Sequence, residues 1–249
     1  MRFQDHFSRQ ASTYAQYRPS YPEDLFDWLA CQASRRGLAW DVATGSGQSA
    51  VALAQRFTEV IATEPSAAQL ANAARRPNIN YRQEPAERAS LADGSADLIT
   101  VAQALHWFDL PAFLTEAARV LRPGGVLAVW CYELFSVDAD IDAIVADYYH
   151  GTVGPYWPPE RRWLEQGYAG LALPYASLAT PAFTMALDWN LDMLLGYLAS
   201  WSATQRYRDE RQHDPLPEIR NRLAAAWGEP AHTRRINWPL TVQACRKPA

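Results

Sequence analysis

Lysine is nearly absent from this chain. Of 249 residues only Lys247 is one, and arginine carries almost all the positive charge, which reads as genome composition rather than function. No lysine- or arginine-rich block occurs, the net charge is −4 and the sequence pI is near 5.7, so no nucleic-acid partner is expected. Cysteine is scarce and scattered. Cys31, Cys131 and Cys245 form neither a disulfide framework nor a metal-ligand spacing, so no metal is expected and a reduced, cytoplasmic setting is. No apolar run is long enough to cross a bilayer, and MRFQDHFSRQ lacks a signal-peptide core, so no membrane partner is expected either. Internal repeats and low-complexity stretches are missing too.

Apolar and aromatic residues are plentiful. The 49% hydrophobic content suffices for a full core. Ten tryptophans and twelve tyrosines crowd towards the second half, which suggests an aromatic-walled cavity there. The most informative stretch is Leu38 to Ala50, LAWDVATGSGQSA. An apolar run ends in Asp41, a glycine turn follows through Ala43, Thr44, Gly45, Ser46, Gly47 and Gln48, and an alanine-rich segment runs from Ala50 to Phe57. That order reads as strand, tight turn, helix, with backbone amides exposed at the turn. Gly45 to Ala50 also satisfies the G-x-G-x-x-G/A pattern of dinucleotide binders, a weak match alone. Asp41 separates the two readings. A carboxylate sits poorly beside a pyrophosphate and well beside a cation, and S-adenosylmethionine carries an ammonium and a sulfonium.

Around this turn the chain repeats a βαβ pattern. Pro22 opens a helix that Gly37 ends; Glu59–Glu64, Ile79–Gln83, Asp97–Val101 and Val126–Cys131 read as strands. Helices are expected at Gln4–Tyr14, Ala67–Arg75 and Pro111–Val120. Beyond Tyr132, the period predicts a helix over Asp138–Tyr149 and a Pro, Gly and aromatic segment over Gly151–Trp163. A strand over Phe183–Trp189, a helix capped by Asn190 or Asp192, a helix over Pro217–Trp227 and a last strand over Arg234–Arg246 follow. The fold class expected is α/β, a doubly wound, mostly parallel seven-stranded sheet with a helical lid inserted in the C-terminal half. Residues 1–132 form the cofactor-binding core with an N-terminal cover helix, and 133–249 the remaining strands and the lid, as one compact domain.

Several residues fall at the ligand edge of such a sheet. Glu64 lies roughly twenty residues past the turn, where a carboxylate can take both ribose hydroxyls, with Pro65 beside it. At an open strand end it is expected to add little to stability. Ala86 and Glu87 stand where an adenine edge is read. Gln103, His106 and Trp107 follow the fourth strand directly.

These residues resemble the class I S-adenosylmethionine-dependent methyltransferases, and most of all the small-molecule group that includes trans-aconitate methyltransferases. The resemblance rests on YAQYRPSYP, DVATGSGQ, the acid in ATEP, PAE, QALHWFD, LRPGG, LGYLASWSA and NWPLTV, and spans nearly the whole chain. It implies that Asp41, Ala43, Thr44, Gly45, Gly47 and Gln48 line the methionine end, Glu64 with Pro65 the ribose, and Ala86 with Glu87 the adenine. It further implies that the Gln103 backbone holds the amino group and that His106 lies near the transferable methyl. Ala43 stands where the first glycine of the family's turn is usual, and Pro85 where many relatives carry an aspartate.

The function this implies is methyl transfer to a small organic molecule, O-methylation of a carboxylate or hydroxyl, with S-adenosylhomocysteine as product. A carboxylate acceptor needs no base, whereas an alcohol or phenol does, and His106 is either that base or a pocket residue. Tyr14, Tyr17, Arg18, Trp107, Trp157, Arg161 and Arg162 are the candidate substrate contacts. The alternatives are a cofactor-binding module without turnover, kept open by Ala43 and Pro85, and a nicotinamide oxidoreductase, disfavoured by Asp41. A monomer or a homodimer is expected.

Overall fold

The computed structural model describes residues 19–249. The expected helix at Gln4–Tyr14, and with it Tyr14, Tyr17 and Arg18, lies outside the described residues. Five parallel strands, β1 (Leu38–Val42), β2 (Glu59–Thr63), β3 (Ile79–Arg82), β4 (Ala96–Ala102) and β5 (Leu121–Tyr132), are ordered β3-β2-β1-β4-β5. β6 (Ala176–Ser177), β7 (Phe183–Trp189) and β8 (Arg234–Arg246) complete the sheet, β8 running antiparallel to β5. β6 and β7 both pair with the far edge of β8, Ala176 opposite Arg246 and Phe183 opposite Leu240. They are two pieces of one edge strand, joined where Leu178 N–H donates to Ala244 C=O (2.8 Å) and interrupted near Pro181. The sheet therefore has seven strand positions, the last of them broken in two.

Strand periodicity explains the two cores. Along β5, Val126, Ala128 and Trp130 face one core while Leu127, Val129 and Cys131 face the other. α1 (Glu23–Gln32) and α2 (Gln48–Ala54) cover the first face, and α4 (Leu110–Val120) the second, through Phe113, Ala117 and Val120. The intervening α3 (Ala67–Ala71) is shorter than its alanine-rich sequence predicts. Asn72 turns its side-chain amide back onto Ala68 C=O (2.9 Å), and Pro77 biases the preceding residues away from helix.

The second half holds α5 (Ala139–Asp147), capped by Asp138 and continued by one wide π turn, Tyr148–Thr152. A short α6 (Arg162–Glu165) precedes the broken edge strand; α7 (Leu191–Ala199), α8 (Ser202–Arg211) and α9 (Leu216–Trp227) lie between β7 and β8. Asn190, not Asp192, caps α7, accepting from Met193 N–H at 3.0 Å. The sequence reading does not single out α8, because SATQRYRDER buries only Ala203 and Thr204 and so carries almost no apolar period. The expected aromatic-walled cavity needs correction. Phe135, Trp189, Tyr197, Trp201 and Trp238 are buried and stack on one another at 5.1–5.9 Å between ring centroids, forming core rather than cavity wall.

Candidate functional site

The strand order reverses between β1 and β4, and the crevice at their carboxyl ends is where doubly wound sheets take ligands. Asp41, at the end of β1, is only 1% exposed. Its Oδ1 accepts from Thr100 Oγ1 on β4 (2.8 Å) and its Oδ2 from Thr44 Oγ1 in the turn. Burial nonetheless dominates and, with the nearby Glu64 charge, pushes the carboxyl up to about 6.

The turn is built on left-handed backbone. Ala43 (φ 52°), Gly45 (φ 59°) and Gly47 (φ 84°) all lie at positive φ, and only the two glycines do so without steric cost. Their surroundings differ. A Cβ at Gly45 would meet nothing within 4 Å, so the turn opens onto free space there, whereas a Cβ at Gly47 would collide with the Tyr81 hydroxyl. Gly47 is thus required by its neighbour β3 as well as by its φ.

Glu64 closes the turn from the β2 side. Its Oε2 accepts from Gly45 N–H (3.0 Å) and its Oε1 from Ser66 N–H (3.0 Å), and it is 7% exposed. The expectation that it adds little to stability is therefore corrected: a buried carboxylate pairing two backbone donors is part of the fold. Pro65 follows, its carbonyl accepting from Gln83 Nε2 (3.1 Å), and Gln48 opens α2. Ala86 is buried, while the Glu87 carboxylate accepts Asp109 N–H (2.9 Å) and so ties the loop after β3 to the start of α4. Gln103 sits at φ 55°, and its side-chain amide pairs with the Tyr132 backbone in both directions, 3.0 and 3.1 Å, locking the ends of β4 and β5 together.

Beyond Gln103 the chain makes a 3-10 turn, Leu105–Trp107, which packs against a second one, Pro159–Arg161. His106 is half-buried, stacked obliquely on Trp107 (4.6 Å), with Nδ1 3.4 Å from the Tyr168 hydroxyl. Burial and, second, the Arg161 charge push its pKa down to about 3, so the imidazole is neutral at physiological pH. The Arg161 guanidinium carbon lies over the Trp157 ring, 3.9 Å from its centroid, and its Nε donates to the Tyr149 hydroxyl at 2.5 Å. Tyr149 in turn donates to Glu165 (2.9 Å). Arg162, next in sequence, is exposed and points to no such arrangement, so the two arginines do not act as a pair. Trp157 also borders an open polar groove with Tyr156, Arg206, Asp209 and Glu210.

Sequence reasoning missed Thr100, Tyr149 and Tyr168. Thr100 had a signal, a lone hydroxyl inside the apolar strand ADLITVA, where a buried polar group needs a partner. The two tyrosines had none, because they meet the site only through the packing of the insert on the sheet.

The site suits S-adenosylmethionine on the chemistry of its donors: two carboxylates and a turn open at Gly45 accommodate a cationic ligand better than a pyrophosphate. Among the described residues, no group of three or more His, Cys, Asp or Glu side chains gathers as a metal site, and no helix is long and apolar enough to cross a membrane.

Comparison with known proteins agrees. Residues 40–129 match the family model described as a methyltransferase domain. A provisionally assigned methyltransferase of Dictyostelium discoideum is 36% identical over 230 residues, 91% of this chain and 88% of that protein. A Saccharomyces cerevisiae protein provisionally named as an S-adenosylmethionine-dependent methyltransferase is 24% identical over 96% of both chains. The structure of a provisionally assigned type II methyltransferase from Anaeromyxobacter dehalogenans superposes with a TM-score of 0.88 at 43% identity, covering 94% of this chain and all of that one. Fold, site chemistry and relatives converge, and the chain belongs to the class I S-adenosylmethionine-dependent methyltransferases.

Proposed function

We propose that the protein methylates an oxygen of a small organic acid. S-adenosylmethionine supplies a methyl group already activated on a sulfonium and leaves as the neutral thioether S-adenosylhomocysteine. The chain's own residues bind, orient and exclude water. In this reading the turn of Asp41, Ala43, Thr44, Gly45, Gly47 and Gln48 holds the methionine end, Glu64 and Pro65 the ribose, Ala86 and Glu87 the adenine, and Gln103 the amino group.

The observation that carries the choice of acceptor is the state of His106. An imidazole with a pKa near 3 is a weak base at neutral pH. An acceptor that arrives ionised, as a carboxylate does, needs no proton removed. A hydroxyl acceptor is the second reading, and His106 is then the base within reach. The two are separated by His106→Ala assayed for S-adenosylhomocysteine release. With a saturating carboxylic acid, kcat should stay within about tenfold, the lost His106 contact showing as a raised KM; with a phenol or alcohol kcat should fall by about a hundredfold or more. The cofactor reading has its own test in calorimetry. S-adenosylmethionine should bind in the micromolar range, about −8 kcal/mol, NAD and NADP should not, and Glu64→Ala should weaken binding by at least tenfold.

A further inference from the structure

Arg161 is a half-buried cation that makes no ion pair with any described residue. Its Nε is committed to Tyr149 and its plane to Trp157, yet Nη1 and Nη2 make no hydrogen bond or ion pair with any described residue. Glu165, which the sequence places four residues on, is bonded to the Tyr149 hydroxyl instead. A guanidinium held rigid on two sides, with two donors open, is arranged to take the two oxygens of a carboxylate in parallel.

His106 complements it. Among the described residues the buried Tyr168 hydroxyl has one hydrogen-bond partner, His106 Nδ1 at 3.4 Å, so its hydrogen goes to that nitrogen. The opposite assignment would leave the buried hydroxyl hydrogen without an acceptor among the described residues. With Nδ1 accepting, a neutral imidazole carries its proton on Nε2, as a donor. Tyr168 is buried on the same face as Cys131 and Leu105, which fixes its position.

We propose that Arg161 and the Nε2–H of His106 form one anion subsite for the acceptor's carboxylate, with Tyr168 as a positioning residue that sets the His106 tautomer. This rests on the small-acid reading above. The subsite offers one full charge and one neutral donor, which matches a carboxylate better than a phosphate dianion. Arg161 covers the Trp157 face, so that face is closed to a cationic acceptor.

The test uses the full chain saturated with S-adenosylhomocysteine, titrated by calorimetry with glutarate and with its diamide as probes. Glutarate should bind and the diamide should not. Arg161→Gln should weaken glutarate at least thirtyfold, Arg161→Lys less, Tyr168→Phe severalfold, and Arg162→Gln not at all. S-adenosylhomocysteine affinity should stay within twofold throughout. Nitrogen-15 NMR of the His106 ring, assigned against His106→Gln, should show Nε2 protonated in the wild type and a tautomer mixture in Tyr168→Phe. Equal binding of acid and diamide, no glutarate binding at millimolar concentration, unchanged affinity in Arg161→Gln, or protonation at Nδ1 would each overturn the proposal. Failure of S-adenosylhomocysteine itself to bind is a different result and would overturn the cofactor reading.

Discussion

Asp41 and Arg161 are both ionisable side chains held at the ligand edge of one sheet, and they are held by different means. Asp41 sits at 1% exposure between two hydroxyl donors, Thr44 from its own turn and Thr100 from the adjacent strand. Arg161 is half-buried and lies on an aromatic ring, pinned by one tyrosine, with its remaining donors open. The turn around Asp41 is therefore specified by backbone geometry and hydrogen bonds, which tolerate little change. The Arg161 corner is specified by stacked side chains from an insert. A fold that keeps one ligand and varies the other needs that division, because stacking surfaces can be exchanged without dismantling strand ends.

The comparison predicts that substitutions at the turn cost more than substitutions at the stacked corner. Gly47→Ala carries the largest expected effect. It adds the cost of a left-handed alanine to a collision with Tyr81, for about 4 kcal/mol of lost stability in chemical denaturation. Combining it with Tyr81→Leu should recover the collision part only, and full additivity of the two changes would show that Tyr81 is not the obstacle.

The pH dependence comes next. Asp41 has a folded pKa of about 6 against an unfolded 3.8, so the folded state holds its proton more tightly. Its stabilising contribution is complete below pH 4 and is lost as pH rises through 6, about 3 kcal/mol in all. Denaturation curves of the cofactor-free protein should show that loss, and Asp41→Asn should flatten it. If the cofactor's cation lies close to Asp41, affinity for S-adenosylmethionine should rise over the same interval. Thr100→Val should follow at about 2 kcal/mol, since it leaves one buried Asp41 oxygen without its donor.

At the other corner, Arg161→Gln should cost about 1 kcal/mol of stability, the worth of a partly exposed cation–π contact, since it leaves Trp157 and its ring contacts in place. A loss larger than that of Thr100→Val would break the contrast between the two ends. The smallest effect has the opposite sign. Ala43→Gly should stabilise by about 1 kcal/mol, because it relieves a non-glycine residue at φ 52°. No gain would mean that glycine's extra freedom in the unfolded chain offsets the strain.

Local order in this protein was legible from the chain alone. Asp41 followed by a glycine turn, Glu64 after the next apolar run, and Arg122-Pro123-Gly124-Gly125 in the first residues of β5 are signals each confined to a few neighbouring residues, and each reports a strand end or a turn. The alternation of β5 between two cores follows from the same short-range rule. Hence the sheet, its seven positions and its ligand edge could be derived in advance. What tertiary structure decided lies at long separation. Tyr168 reaches His106 across 62 positions and Thr100 reaches Asp41 across 59. Whether Glu64 is solvent-facing or buried, and which of Arg161 and Arg162 turns inward, depended on how the insert and the loops pack. Periodicity reports a residue's face on its own element; it carries no information about which other element will cover that face.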